Sequence, residues 1–229
     1  MRVNEVFLSL QGEGVNVGVP TAFVRLQGCN LCCSWCDTKH AQDPDGGELM
    51  TPTQVANTVW KMTSYRGRWV CITGGEPFFH LAELRELIEA LRRLNSYLIE
   101  VETNGSFGPP KWFSLVDSWV ADIKCPSSGV CGTSKVDRWF DMRRKDQVKF
   151  VVANVEDLDF VRQTLKSRRC IPTVLVSPAA GVLVDKKQGT TEEYWNREWL
   201  QEVWRFCVEM NVRFSLQMHK AVFGNRKGV

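Results

Sequence analysis

What most constrains this chain is a repeated change of rhythm between short apolar runs and amphipathic helical stretches. Val3 to Leu10 reads as a strand with Val6, Leu8 and Leu10 on one face, and Gln11-Gly12-Glu13-Gly14 breaks it. Thr21 to Leu26 is a second strand, leading into Gly28. Thr51-Pro52-Thr53-Gln54 opens a helix, with Thr51 as N-cap, Pro52 at the first helical position and Gln54 closing a capping box. Val55, Val59 and Met62 form its buried stripe. Arg68 to Thr73 is a continuous apolar run of the kind buried on both faces in a parallel sheet, and it ends in Thr73-Gly74-Gly75-Glu76-Pro77. A helix follows with Leu84, Leu87, Ile88, Leu91 and Leu94 at helical spacing. Tyr97 to Glu102 is then a strand ending in Thr103-Asn104-Gly105.

The alternation continues. A short helix around Trp112 to Val116 precedes a strand from Trp119 to Ile123. Gln147 to Val152 is a strand, and Asn154 caps a helix carrying Phe160, Val161 and Leu165. Pro172 to Val176 ends at Ser177-Pro178. Thr190 and Glu193 form a capping box for a last long helix, with Trp195, Trp199, Val203, Trp204 and Cys207 on its face. Val212 to Leu216 is the final strand. Such alternation means βα units, a mainly parallel sheet and right-handed crossovers. In these sheets the carboxyl ends of the strands form the active face. The polar motifs follow Leu26, Ile72, Val101, Ile123, Val176 and Leu216. Their agreement predicts an abbreviated, partly open parallel (β/α) barrel with one mouth, in a single α/β domain.

The densest chemistry lies at the first of these strand ends, in Gly28-Cys29-Asn30-Leu31-Cys32-Cys33-Ser34-Trp35-Cys36-Asp37-Thr38. Four of the nine cysteines fall there, so a short loop presents soft thiolates suited to an iron–sulfur cluster, zinc or copper(I). Cys29, Cys33 and Cys36 can surround one small volume. Three ligands to a four-iron cubane leave one iron open to a second molecule. Cys32 keeps a zinc alternative open, since Cys29-x2-Cys32 and Cys33-x2-Cys36 can also clamp that ion. Arg25 shares strand parity with Phe23, and is either paired at the surface or aimed at a pocket.

Composition narrows the classes. A net charge of +3 is too small to imply a nucleic-acid partner. No apolar run has membrane-spanning length and no signal peptide opens the chain, which makes cytoplasmic residence the expectation. An odd cysteine count fits a disulfide framework poorly and suits a reducing compartment.

The triple Cys29-x3-Cys33-x2-Cys36, with Trp35 before the last cysteine, resembles the cluster loop of the radical S-adenosylmethionine (SAM) enzymes. Thr73-Gly74-Gly75-Glu76-Pro77 resembles the segment that holds the amino group of SAM in that family. Further motifs carry the resemblance along nearly the whole chain: Leu10-Gln11-Gly12-Glu13-Gly14, Arg25-Leu26-Gln27-Gly28, Trp35-Cys36-Asp37-Thr38, Asp122-Ile123-Lys124-Cys125-Pro126-Ser127-Ser128-Gly129, Gln147-Val148-Lys149-Phe150, Ser177-Pro178, Gln217-Met218-His219 and the tail Gly224-Asn225-Arg226-Lys227-Gly228-Val229. Together they are similar to the 7-carboxy-7-deazaguanine synthases.

That resemblance implies one radical SAM domain over residues 1–229 and conversion of 6-carboxy-5,6,7,8-tetrahydropterin to 7-carboxy-7-deazaguanine with loss of ammonia. It places the product in 7-deazapurine (queuosine and archaeosine) biosynthesis. It implies a [4Fe-4S] cluster on Cys29, Cys33 and Cys36, with Cys32 a bystander. SAM would meet Trp35, Cys36, Asp37, Gly75, Glu76, Asp122, Lys124, Ser127 and Ser177, although Lys124 also reads as a solvated lysine. Substrate would meet Leu10, Gln11, Gly12, Glu13, Arg25, Thr73, His219 and Val229. His219 is the candidate catalytic residue, with a structural histidine as the alternative. Thr38, otherwise a turn residue, would give its hydroxyl to magnesium (Mg2+). A homodimer and a low-potential electron donor such as flavodoxin or ferredoxin are implied partners, without nucleic acid or membrane. Two rival readings stand beside this one: an activase of glycyl-radical enzymes with the same cysteine spacing, and a zinc-stabilised binding module.

Overall fold

The computed structural model describes residues 1–63, 68–180, 196–224, 226 and 228. Thr190, Glu193, Trp195 and Val229 lie outside the described residues. In chain order the elements are β1 (Arg2–Leu10), β2 (Pro20–Leu26), β3 (Glu48–Leu49), α1 (Pro52–Thr63), β4 (Trp69–Gly74), α2 (Leu81–Leu94), β5 (Leu98–Thr103), β6 (Ser118–Asp122), α3 (Val136–Phe140), β7 (Gln147–Val152), α4 (Val155–Ser167), β8 (Thr173–Pro178), α5 (Arg197–Met210), β9 (Arg213–Phe214) and α6 (Met218–Phe223). Among the described residues they form one open sheet in the order β3-β1-β2-β4-β5-β6-β7-β8-β9. The pairs from β2–β4 onward are parallel, while β1 runs antiparallel to both β2 and β3. The predicted partly open parallel barrel is therefore present, with an antiparallel hairpin added at one edge.

Period-two alternation decides what each strand shows to either side. Ala22, Val24 and Leu26 of β2, Val70 and Ile72 of β4, and Ile99 and Val101 of β5 join the helices in one hydrophobic core. The intervening residues point the other way. They include Arg25, Cys71, Thr73, Glu100 and Glu102, so the concave side of the sheet is strongly polar. In β1 the phase is reset by a bulge. Val3 pairs with Leu26 and Glu5 with Arg25, leaving Asn4 as the extra residue. Val3 thereby reaches the core, and Glu5 reaches the concave side beside Arg25.

Capping fixes the helices where expected. In α1, the Thr51 N–H donates to Gln54 Oε1 at 2.8 Å and the Gln54 N–H to Thr51 Oγ1 at 3.2 Å. Asn154 Oδ1 accepts from the Asp157 N–H at 3.0 Å at the start of α4. The last long helix differs from its prediction: α5 starts at Arg197, where Asn196 Oδ1 accepts from the Glu198 and Trp199 amides. Its buried face is Trp199, Val203, Phe206 and Cys207, and Trp204 is 59% exposed. Leu94, at the end of the apolar stripe of α2, is exposed, as are Leu8 and Leu10 of β1. The expected strand from Val212 to Leu216 shortens to Arg213–Phe214, and α3 and α6 are helices that hydrophobic spacing did not signal.

Asp146 ties β6 to the turn before β7. Its carboxylate is almost fully buried and accepts from the Trp119 N–H at 3.1 Å, the Arg143 N–H at 2.9 Å and the Arg143 guanidinium at 2.7 Å and 2.9 Å. Removing it leaves a guanidinium and two amides without their acceptor. Asp146→Ala should therefore lower the unfolding free energy by about 3 kcal/mol, in the range seen for broken buried pairs. Denaturant unfolding measures this, and a loss below about 1 kcal/mol, the range of surface pairs, would contradict the assignment.

Candidate active site

One cavity opens at the carboxyl ends of the parallel strands. Arg25 of β2, Thr73 and Gly74 of β4, Glu102 and Thr103 of β5, Asp122 of β6, and Lys149 and Val151 of β7 all line it. The cysteine loop supplies one wall and the segment from Gln217 to Lys220 another. Cys29, Cys33 and Cys36 line the cavity, whereas Cys32 is exposed and does not. Burial pushes the Cys33 thiol up to about 11, against the pull of Lys124, and the charges of Cys36 and Cys29 push the same way. Three thiols thus face one volume and feel one another. The Leu31 N–H and the Asn104 Nδ2–H point at Cys29 Sγ, at 3.4 Å and 3.8 Å. This donor set fits a three-thiolate cluster better than a four-thiolate zinc clamp, because the fourth thiol is turned out.

Backbone contact sets this wall. A Cβ on Gly75 would lie 2.3 Å from the Gly28 carbonyl oxygen and 2.5 Å from that of Ala41. A Cβ on Gly74, already at φ +146°, would lie 2.2 Å from the Leu26 carbonyl oxygen. Only glycine lets the two loops touch there. The Gly75 N–H donates to Leu26 O at 3.1 Å and the Glu76 N–H to Gly28 O at 2.8 Å.

Glu76 departs from the expectation that it faces SAM. It is fully buried and does not line the cavity. Its carboxylate accepts from the Phe78 N–H (3.1 Å), the Thr103 hydroxyl (2.8 Å) and the Asn104 N–H (2.7 Å). Burial still pushes it up to about 7 against those three donors. It holds the end of β5 against the glycine turn. Ser127 and Ser177 also lie outside the lining. The Ser127 hydroxyl accepts from Trp35 Nε1–H at 3.1 Å and donates to Asp157 Oδ2, so it supports Trp35 from behind. Ser177 is buried and its hydroxyl oxygen has no protein partner among the described residues.

The other expected positions converge. Trp35, Asp37, Gly75, Asp122 and Lys124 line the cavity. Lys124 Nζ lies 2.6 Å from Asp122 Oδ2 and 5.5 Å from the centre of the Trp35 ring, while Asp122 Oδ1 is buried without a partner among the described residues. Burial works against the Lys124 charge, but Asp122 and Cys33 more than offset it and raise its pKa. Leu10, Gln11, Gly12, Glu13, Arg25, Thr73 and His219 line the same space. Arg25 Nε donates to Glu5 Oε1 at 2.7 Å, and the guanidinium carbon lies 5.9 Å from the Phe7 ring centre. Both readings of Arg25 therefore hold at once: it is paired, and it faces the pocket.

Sequence reasoning missed the groups that anchor these residues. Glu13 would be raised by burial, but Lys149 at 3.0 Å and Gln217 at 2.9 Å hold it below the usual carboxylate range. Burial likewise opposes the Lys149 charge, and Glu13, Asp122 and Glu102 together lift it above the ordinary lysine range. Asp37 is partly sunk into its loop, yet Lys220 Nζ at 2.6 Å keeps it ionised well below the usual range. Thr38 donates its hydroxyl to Asp37 Oδ1 at 2.9 Å. His219 packs on Gly12, where a Cβ would fall 2.4 Å from Nδ1. Burial depresses its pKa, so the imidazole is neutral at pH 7. The alternation of acids in β5 was a signal for Glu102 that spacing offered and motif reading passed over.

The chain is similar to curated proteins over nearly its whole length. A curated 7-carboxy-7-deazaguanine synthase of Methanospirillum hungatei is 34% identical over 97% of this chain and 85% of its own. One from Pyrobaculum aerophilum is 33% identical over 100% and 97%, and one from Koribacter versatilis 31% over 97% of each chain. This chain belongs to the 7-carboxy-7-deazaguanine synthase family. It is a radical SAM enzyme, and residues 10–107 match the family described as "4Fe-4S single cluster domain". Its fold is like that of QueE from Escherichia coli, with TM-score 0.66 at 24% identity over 95% of this chain and 94% of that one. The anSMEcpe structure with bound AdoMet gives TM-score 0.53 at 14% identity over 90% and 66%.

Two outcomes follow from the geometry. Cys32→Ala should retain a full cluster after anaerobic reconstitution, while Cys33→Ala should lose it, measured by iron content and visible absorbance; the reverse pattern would overturn the ligand assignment. Glu76→Ala strands two buried amides and a hydroxyl, so the cluster-free protein should lose about 3 kcal/mol or more of stability in denaturant.

Proposed function

We propose that this enzyme converts 6-carboxy-5,6,7,8-tetrahydropterin to 7-carboxy-7-deazaguanine with release of ammonia, within 7-deazapurine biosynthesis. The observation that carries this reading is that Arg25, suited to a carboxylate, lines the same cavity as three cluster-type thiols and the acid Glu102. A carboxypterin is an anion at one end and a hydrogen-bond donor edge at the other, and the cavity offers a partner for each.

Cys29, Cys33 and Cys36 would hold a [4Fe-4S] cluster. SAM would lie against Trp35, Gly75, Asp122 and Lys124, and the unpartnered Asp122 Oδ1 is an acceptor suited to its polar groups. When bound, the cluster and SAM would supply the radical chemistry needed for hydrogen abstraction at C6 of the pterin. The chain's own residues position that carbon. Arg25, held by Glu5, receives the carboxylate through its remaining guanidinium N–H groups as a bidentate partner. Glu102 accepts from the donor edge, and Gln11, Gly12 and Thr73 close around it. Neutral His219 takes and returns a proton during ring contraction and departure of ammonia. Thr38 would give one oxygen to Mg2+, whose remaining ligands would be substrate and water. The working unit is proposed to be a cytoplasmic homodimer, reduced by a low-potential carrier such as flavodoxin or ferredoxin.

The test is anaerobic turnover of the carboxypterin with SAM, reductant and Mg2+, followed by mass spectrometry for the deazaguanine product. Absence of product with a fully loaded cluster would overturn the reading. Arg25→Gln should raise the substrate KM about 10- to 100-fold, the scale of a lost charge-assisted hydrogen bond pair, with a smaller change in kcat. Omitting Mg2+ should depress turnover, and an unchanged rate would remove Thr38 from a metal role.

A further inference from the structure

Behind the cavity lies a second carboxylate that none of the chemistry above uses. Glu100 is two residues before Glu102 on the same face of β5 and is 3% exposed. Carboxylate oxygens of Glu100 and Glu102 and the Cys71 sulfur fall within 4.8 Å of one another. Gln11 Nε2 bridges the two acids, donating to Glu100 Oε1 at 2.9 Å and to Glu102 Oε1 at 3.2 Å. Asn16 Nδ2 at 2.8 Å and Gln147 Nε2 at 3.0 Å donate to Glu100 Oε2. Thr73 donates to Glu102 Oε2 at 3.1 Å. Glu102 lines the cavity and Glu100 does not.

The groups around Glu100 are neutral apart from its fellow acid. From β4 it meets the Cys71 thiol, from β6 Ser118, from β7 Gln147, and from the β1–β2 turn Gln11 and Asn16. The nearby cations make their direct ion pairs elsewhere: Lys149 pairs with Glu13 and reaches Glu102 only through its field, Arg25 pairs with Glu5, and burial holds the His219 pKa down. Two like charges this close and this dry cannot both persist cheaply. Burial, then the charge of Glu102, pushes Glu100 up to about 7 even against the hydrogen bonds of Gln11, Asn16 and Ser118.

We propose that Glu100 is a positioning residue: the pair holds one proton between its two acids and keeps it on Glu100, which leaves Glu102 as the hydrogen-bond acceptor facing the cavity, with Gln11 fixed between them. The role rests on the carboxypterin reading of the site. An incoming substrate brings a second anion and expels water, and both changes favour the protonated form of Glu100. Substrate binding therefore takes up a proton at neutral pH. The sign follows by linkage: affinity holds while Glu100 is protonated and weakens as pH rises through its titration. The permanently neutral Glu100→Gln loses this dependence while Gln11 keeps Glu102 as a partner.

The experiment uses the reconstituted, SAM-loaded enzyme. Calorimetric titration with 6-carboxytetrahydropterin, in buffers of different ionisation heat, counts the protons taken up. The wild type should take up a fraction of a proton approaching one, with Kd and KM rising by up to about tenfold per pH unit above neutrality. Glu100→Gln should show uptake near zero and a flat KM across that range. Equal slopes in both proteins, or no slope in the wild type, would overturn the proposal. Infrared spectra of the substrate-free wild type supply an arm that does not need the pterin. Two protonated-carboxyl components should titrate near neutrality, one of them from buried Glu76; the Glu100 component should vanish in Glu100→Gln and move to lower pH in Glu102→Gln, while the Glu76 component stays in both. If the pterin neither binds nor reacts, the functional reading fails; if the Glu100 component is absent, the shared proton fails whatever the substrate proves to be.

Discussion

The polar concave face of the sheet is the constraint on which the rest depends. Strands β4 to β7 bury their outer residues in a hydrophobic core, and the inner residues face a space walled off from bulk water. Glu13, Glu100, Glu102, Gln11, Gln147 and Lys149 occupy that space. Each must find a partner there or lose its charge, because isolated buried charges are prohibitive. They do so as one connected set: Lys149 to Glu13, Glu13 to Gln217, Gln11 to both acids of β5, Gln147 to Glu100. The set joins the turn after β1 to β5, β7 and the segment after β9. Positions more than 200 residues apart, such as Glu13 and Gln217, are thereby set with respect to one another.

The cluster wall obeys a different rule. It is built by backbone proximity rather than by charge. The turn at Gly74 and Gly75 presses on the carbonyls of Leu26, Gly28 and Ala41 at distances that forbid any side chain. Glu76 then reaches back to hold the end of β5, and Asn104 in turn points its amide at Cys29. The loop carrying the thiols is thus braced by two neighbouring strand ends before any metal arrives. A rigid scaffold that presents reactive loops is the usual division of labour in parallel α/β sheets.

Much of this was legible in the sequence, for definable reasons. The capping box of Thr51 and Gln54, the cap at Asn154 and the glycine turns are local, and local signals need only a few residues to speak. The cysteine spacing put Cys29, Cys33 and Cys36 around one volume but left Cys32 open as a zinc ligand, and it is the fold that turns that thiol away from the cavity. Partners were not legible. The strand Leu98-Ile99-Glu100-Val101-Glu102-Thr103 announces its alternation but not whether its acidic face meets water or the inside of a barrel. Lys149 and Glu13 are 136 residues apart, and only the folded sheet brings them together. Trp204 shows the opposite failure. Helical spacing placed it on the buried face, but α5 packs through Phe206 instead, leaving the tryptophan at the surface against Phe214 at 5.5 Å. Glu76 was named for its motif, but its role is set by three donors that no motif contains.

The bulge in β1 has a consequence for how this edge could change over time. Asn4 is surplus to the strand pairing, since Val3 and Glu5 already oppose consecutive residues of β2. Losing that one codon would restore an unbroken ladder with Val3 still in the core and Glu5 still beside Arg25. What would go is the Asn4 amide, which donates to Gln27 Oε1 at 2.6 Å and to His40 O at 3.3 Å. The strand is therefore indifferent to its own length at this point, and the flank of the thiol loop is not. An insertion that costs the sheet nothing in register has become the splice between an outer strand and the loop that carries the chemistry.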